Sequence, residues 1–203
     1  DPAKPVIEKL DFDFASCGYA LCIVDTGGSH SDLTDEYAAV RKEMESVAEY
    51  LGKSVLREVD EDEFMKNIAD IRSSCGDRAV LRAMHFYGDN ARVEKQAAAL
   101  KAGDFETFKK YIIESGRSSY MYNQNVYSCK KASEQPVSLA LSLSEKLLDG
   151  CGAWRVHGGG FAGTIQAFVP LNKLDEYKDL MEKVFGSGSC YILSVRPVGG
   201  VEL

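Results

Sequence analysis

The sequence predicts an α+β fold: a four-stranded antiparallel sheet in β-α-β-β-α-β order, with helices on one face and an extra helical insertion. Three observations carry this. A short β-prone apolar run, "YALCIVDT" (19–26), stands near the start. A long stretch of helical periodicity follows it. From residue 153 onward the pattern changes to strand, glycine turn, strand, helix, strand. Collapsing the helical stretch into one crossover leaves the ferredoxin-like order, two interleaved right-handed βαβ units. Residues 1–203 read as one domain, with no linker, repeat or low-complexity tract.

Each element has its own signals. Gly27 and Gly28 close the first strand. Thr34 is placed to cap a helix whose first turn carries Asp35 and Glu36, where acidic groups meet the positive end of the helix dipole. Tyr37, Val40, Met44, Val47 and Leu51 then recur at helical spacing, and Gly52 stops the helix. "EVDEDEF" (58–64) reads as a solvated acidic lead into a weaker helix around Phe64, Ile68 and Ile71. Residues 77–103 form a long helix whose point of disturbance is Gly88. Gly103 ends it and Asp104 caps the next, with Phe105, Phe108 and Ile112 on one face. "SSYMYNQNVYSCKKA" (118–132) breaks the period and reads as a loop, after which Ser133 caps a helix ended by Gly150. Strands at 153–157 and 164–169, a helix at 173–185 stopped by Gly186, and a last strand "CYILSVRP" (190–197) complete the order.

Composition excludes several classes of function. Apolar residues are 45% and charged residues 27%, as in ordinary globular proteins. The net charge of −7, with no Lys/Arg run, argues against a nucleic-acid surface. No apolar stretch reaches membrane-spanning length and no signal-peptide pattern opens the chain, so a cytoplasmic location is expected. Six cysteines without a CxxC read as reduced thiols in packing positions. His30, His85 and His157 lack metal-ligand spacing, and no metal site is expected. His85 reads as a packed core residue, His30 as a turn brace and His157 as a structural hydrogen-bonding group. "VDTGG" is similar to an aspartic-protease Asp-Thr-Gly, but only one copy exists, and Asp25 reads as a cap on the strand-to-turn transition.

The densest chemistry-bearing segment is "AWRVHGGGFAGTIQAFVP" (153–170). Gly158, Gly160 and Gly163 spell GxGxxG, yet a strand follows rather than a helix, which rules out a dinucleotide-binding turn. No lysine follows Gly163, which rules out a Walker A loop. The stretch after Gly163 is too short for the HRD and DFG segments of a protein kinase. Two readings stay open. Glycine-rich main chain turns tightly and lets exposed amides approach an anion such as a phosphate. Equally, it makes a tight hairpin that binds nothing.

The segment "GAWRVHGGGFAGTIQAFVP" resembles the third motif of the GHMP sugar and metabolite kinases, the galactokinases above all. "VDTGGSHSDLTDEYAAVRKEMESVAEYLG" is similar to that family's strand followed by His, Tyr and Arg, here His30, Tyr37 and Arg41. "RAMHFYGDNARV" resembles its RAxHxxxENxRV helix through Arg82, His85, Asn90 and Arg92, and "CYILSVRPVGGVEL" resembles its closing strand and tail. The resemblance implies a ferredoxin-like C-terminal domain. It also implies a nucleotide-phosphate contact at Gly158, Gly159, Gly160, Phe161, Ala162 and Gly163, with ATP and Mg²⁺ as cofactors and galactose as the sugar. In the family, a tyrosine before Val-Ser-Cys helps bind the sugar. The matching stretch here, "YMYNQNVYS", offers Asn125 and Tyr127 as sugar contacts, although it departs from the usual Asp-Asp-Tyr run; from its residues alone it also reads as a solvated loop that packs its tyrosines on the sheet.

The family's N-terminal signatures are missing from this chain: the GRVNxIGEH-type sugar segment, the PxGxGLSSSA nucleotide loop and the aspartate that activates the sugar hydroxyl. Phosphoryl transfer needs a Mg²⁺ site and a positioned hydroxyl as well as phosphate donors. The chain therefore reads as the C-terminal half of a galactokinase-like enzyme. Its catalytic residues and metal ligands lie elsewhere, an N-terminal domain is its partner, and it is inactive alone. A second reading is a non-catalytic ferredoxin-like ligand-binding module, or a sugar sensor derived from a galactokinase.

Overall fold

The computed structural model describes residues 6–28, 33–161 and 163–195. Four strands form one sheet: β1 (Tyr19–Asp25), β2 (Ala153–His157), β3 (Thr164–Pro170) and β4 (Cys190–Leu193). Their order is β2-β3-β1-β4 and every neighbouring pair is antiparallel, the ferredoxin-like arrangement expected. Register is set by alternation along β1, where Ala20, Cys22 and Val24 are buried. On β3, Ile165, Ala167 and Val169 share that face.

The helices α6 (Pro136–Leu148) and α7 (Leu174–Phe185) cover this face. Val137, Ala140 and Leu148 of α6 and Tyr177 and Met181 of α7 join the strand residues in one core. The Tyr177 hydroxyl is buried, which raises its pKa, and it lies 2.9 Å from Ser144 Oγ. The opposite face is covered at one end by an aromatic group. There Phe105, Phe108 and Ile112 of α5 (Phe105–Ser118), with Phe12 and Phe14, pack on Leu21, Ala153 and Phe168.

The insertion between β1 and β2 has a core of its own. It contains α1 (Thr34–Tyr50), α2 (Glu61–Lys66), α3 (Ile68–Cys75) and the 25-residue α4 (Asp77–Lys101). Val47, Leu56, Phe64, Ile71, Val80, Ala83 and Tyr87 fill it. Burial beside an acidic rim pushes the Tyr87 hydroxyl up to about 12. The α5 helix joins this body to the sheet along edge strand β2. Gly116 is needed there, because a Cβ would fall 2.8 Å from Arg155 Cβ and 3.1 Å from the Trp154 carbonyl.

Several local expectations change. Thr34 is the first helical residue rather than the cap, and Leu33 precedes it without a side-chain bond. Ser133 does not cap α6, which starts at Pro136, a proline at the first turn where its missing N–H costs nothing. Gly88 leaves α4 continuous, since one glycine costs only about 1 kcal/mol in a long packed helix. The weaker helix becomes two, α2 and α3, meeting at Asn67. The 118–132 segment is largely not loop: α5 reaches Ser118 and runs into a π-helical turn, Ser119–Asn123, ended by Gln124 at φ 54°. No glycine or proline in that stretch stops the helix earlier. Asp104 caps α5 as expected, accepting from the Thr107 N–H at 3.0 Å. The closing strand ends at Leu193, and the tail from Arg196 lies outside the described residues, as do His30 and Ala162.

Candidate functional site

The glycine segment is the hairpin between β2 and β3, beyond the His157–Thr164 pair. Its two halves differ. Gly158 and Gly159 are exposed at the tip, whereas Gly160 and Phe161 are buried, Phe161 to 3% exposure. Gly160 has φ +84°, and a Cβ on it would sit 1.8 Å from the Asn125 carbonyl oxygen. No side chain fits there. A Cβ on Gly159 would lie 2.6 Å from Tyr37 Cε1. Phe161 also holds a positive φ of 60°, a conformation that costs a non-glycine residue of order 1 kcal/mol. Its ring packs edge-on against Tyr37, with centroids 5.1 Å apart, beside Leu33 and Val40.

Three segments remote in sequence tie the hairpin down through its carbonyls. Thr26 Oγ1, just past β1, donates to the Gly163 carbonyl at 2.6 Å. Tyr37, on the first turn of α1, donates its hydroxyl to the Gly160 carbonyl at 2.8 Å. Asn125, after the π-helical turn, donates Nδ2 to the Gly159 carbonyl at 3.2 Å, and its own carbonyl accepts the Phe161 N–H at 2.6 Å. Burial raises the Tyr37 hydroxyl, which keeps it protonated and donating.

The Asn125 segment is anchored in turn. Arg82 on α4 is completely buried, donates Nε to the Asn123 carbonyl at 3.0 Å and pairs with Glu43 of α1 at 2.9 Å. Arg78 takes the other side of the Glu43 carboxylate. A cleft of about 600 Å³ opens beside the hairpin, walled by Phe161, Thr26, Gly27, Leu33, Ser128 and Pro136. The start of α6 forms one side of it. A second cavity, about 400 Å³ between α5 and α6 over Trp154, is separate from the hairpin.

The structure therefore brings Asn125 to the glycine segment, through a contact the sequence did not foretell. Tyr127 goes elsewhere: it packs into the layer under the sheet, its ring 6.1 Å from that of Tyr120. His157 makes the expected structural bond, Nδ1 to Gln166 Oε1 at 2.9 Å. His85 is buried against Ser118 Oγ at 2.9 Å. Asp25 accepts the Gly27 N–H at 2.9 Å, capping the strand end. Sequence reasoning gave no role at the hairpin to Thr26 or Tyr37. Tyr37 carried a signal in both the apolar stripe of α1 and the family resemblance, but neither shows that its hydroxyl reaches a carbonyl far along the chain. Among the described residues, no group of three or more His, Cys, Asp or Glu side chains is placed to hold a metal ion.

No family model matches the chain. Curated relatives do. It is 31% identical to the galactokinase of Homo sapiens over 184 residues, 91% of this chain and 44% of that protein. It is 29% identical to the galactokinase of Thermosipho africanus over 182 residues, 88% of this chain and 47% of the relative. The galactokinase of Actinobacillus pleuropneumoniae serotype 5b is 26% identical over 164 residues, 81% of this chain and 41% of the relative. Among solved structures, Lactococcus lactis galactokinase complexed with galactose superposes with a TM-score of 0.65 at 21% identity, over 92% of this chain and 46% of that one. The chain thus spans less than half the length of the curated relatives it matches. The resemblance drawn from its motifs is borne out, and its fold is that of a galactokinase C-terminal region.

Proposed function

From a chain whose likeness to galactokinases runs through most of its length, we propose that it is the C-terminal half of an ATP-dependent sugar kinase. Galactose is the sugar, and the products are galactose 1-phosphate and ADP. The chain contributes the hairpin at residues 158–163, set against the nucleotide phosphates, while the catalytic aspartate and Mg²⁺ ligands belong to an N-terminal domain. The observation that carries this reading is the division of the hairpin. Its carbonyls at Gly159, Gly160 and Gly163 are drawn onto Asn125, Tyr37 and Thr26. Its glycine tip stands exposed, and a cleft opens on the hairpin at Phe161. Carbonyls held inward and bare main chain held outward favour an anion over a cation.

The intact protein that carries this chain is expected to phosphorylate galactose with ATP, and this chain alone is expected to show no turnover. Gly158→Val is the sharper test. A side chain there meets no described atom within 4 Å, but Gly158 sits at φ +68°, where valine is strained, so urea denaturation of the same variant separates a lost fold from lost ATP binding. The KM for ATP should rise about tenfold or more while the KM for galactose holds. Unchanged ATP kinetics would mean that the hairpin has no nucleotide role. The competing reading, a non-catalytic sensor, is favoured if the intact protein lacks a GLSSS-type loop and binds sugar without turnover.

A further inference from the structure

The hairpin is held by its carbonyls, and that settles which way its amides face. A trans peptide directs its C=O and the following N–H oppositely. Asn125 Nδ2 draws the Gly159 carbonyl to itself, so the Gly160 N–H on the same plane points away from Asn125. The next peptide is gripped at both ends, by Tyr37 on the Gly160 carbonyl and by the Asn125 carbonyl on the Phe161 N–H. The Gly159–Gly160 peptide is different. Among the described residues, the Asn125 carboxamide is its one tie. Flanked by two glycines, this peptide can turn over at little steric cost. Turned over, it would set the Gly159 carbonyl where the Gly160 N–H had been, and repel an anion.

Asn125 is built for that hold. It is 6% exposed, its Nδ2 serves the loop, and its Oδ1 is buried with no hydrogen-bond partner among the described residues. An unpartnered oxygen is a cost that an apolar residue at this position would not carry. The segment beneath it is fixed by the buried Arg82 on the Asn123 carbonyl. We propose that Asn125 is a positioning residue for the hairpin: its carboxamide locks the Gly159–Gly160 peptide in the orientation that offers the Gly160 N–H to an anionic ligand. This assigns Asn125 to the nucleotide-facing loop rather than to the sugar, and it rests on the reading of the hairpin given above.

The test compares Asn125→Ala and the isosteric Asn125→Asp in the intact protein. ATP and galactose are varied independently, and the Gly160 amide is followed by ¹H–¹⁵N NMR. Asn125→Ala should raise the KM for ATP about tenfold with the galactose KM unchanged, the size of losing one preorganised donor. Asn125→Asp should be worse, about a hundredfold, because a carboxylate then faces the Gly159 carbonyl. Both should shift the Gly160 amide resonance. A rise in the galactose KM with ATP kinetics intact would overturn the proposal in favour of a sugar contact, and an unmoved Gly160 resonance would overturn it outright. The resonance separates this idea from the broader one. If Gly158→Val leaves ATP kinetics unchanged, the nucleotide role is overturned, while a Gly160 shift in Asn125→Ala still establishes the peptide lock.

Discussion

Two regions of this molecule gather polar residues from the motifs that suggest a kinase, and they are built in opposite ways. The first is a closed bracket joining α4, α5 and β2. Asp89 of α4 accepts from Ser115 Oγ of α5 at 2.5 Å and from Arg92 at 2.9 Å. Ser115 Oγ in turn accepts from Arg155 of β2 at 2.7 Å, and His85 bonds Ser118. Side chain answers side chain, and little is left for a ligand. The second region, the hairpin, spends its surrounding side chains on main-chain carbonyls and leaves a glycine tip exposed. A motif can be read equally well in sequence whether it braces the fold or faces a substrate. What separates the two is where the hydrogen bonds end.

The largest expected effect breaks the hairpin. Gly160→Ala places a Cβ 1.8 Å from the Asn125 oxygen at φ +84°, so the loop must leave its seat and take the buried Phe161 ring with it. Left-handed strain and overpacking together should cost about 3 kcal/mol in urea denaturation. A loss near 1 kcal/mol would mean that the clamp is looser than its hydrogen bonds imply.

Removing a member of the bracket should do less, and do it differently. Ser115→Ala deletes a fully buried hydroxyl that serves both Asp89 and Arg155, with an expected cost of about 1.5 kcal/mol. The KM for ATP in the intact protein should stay put. If it rises as it does for the hairpin variants, the two regions are one functional unit and the contrast drawn above collapses.

The sheet was legible because its strands are short, β-prone and punctuated by glycine, and the observed order β2-β3-β1-β4 follows from two right-handed crossovers. The hairpin was legible as a hairpin for the same reason. Its clamp was not, because Thr26, Tyr37 and Asn125 meet it only through tertiary folding, and no local period or spacing encodes a bond such as Tyr37 to Gly160. The π-helical turn was missed because Ser, Tyr and Asn between 119 and 123 have mediocre helix propensity and packing decided the outcome. Thr34 and Ser133 misled in the same way. Each is a good capping residue by type, but the chain enters α1 and α6 one or more residues away from where the hydroxyl would help.

The smallest effect concerns protons in the bracket. Burial holds His85 below its ordinary value of 6.5, outweighing the pull of Asp89, with Arg92 and Arg155 pushing the same way as burial. The unfolded chain therefore binds a proton at this position more readily than the folded one. The contribution of His85 to stability is complete above pH 6.5 and is lost as the pH falls through the window beneath it. The loss should fall between pH 7 and pH 5, and His85→Asn should flatten that part of the profile. The ring also has Asp89 Oδ2 at 3.9 Å from Nε2. If acidification stabilises the protein through this window instead, the protonated ring pairs with Asp89, and His85 joins the Asp89–Arg92 ion pair rather than standing neutral beside it.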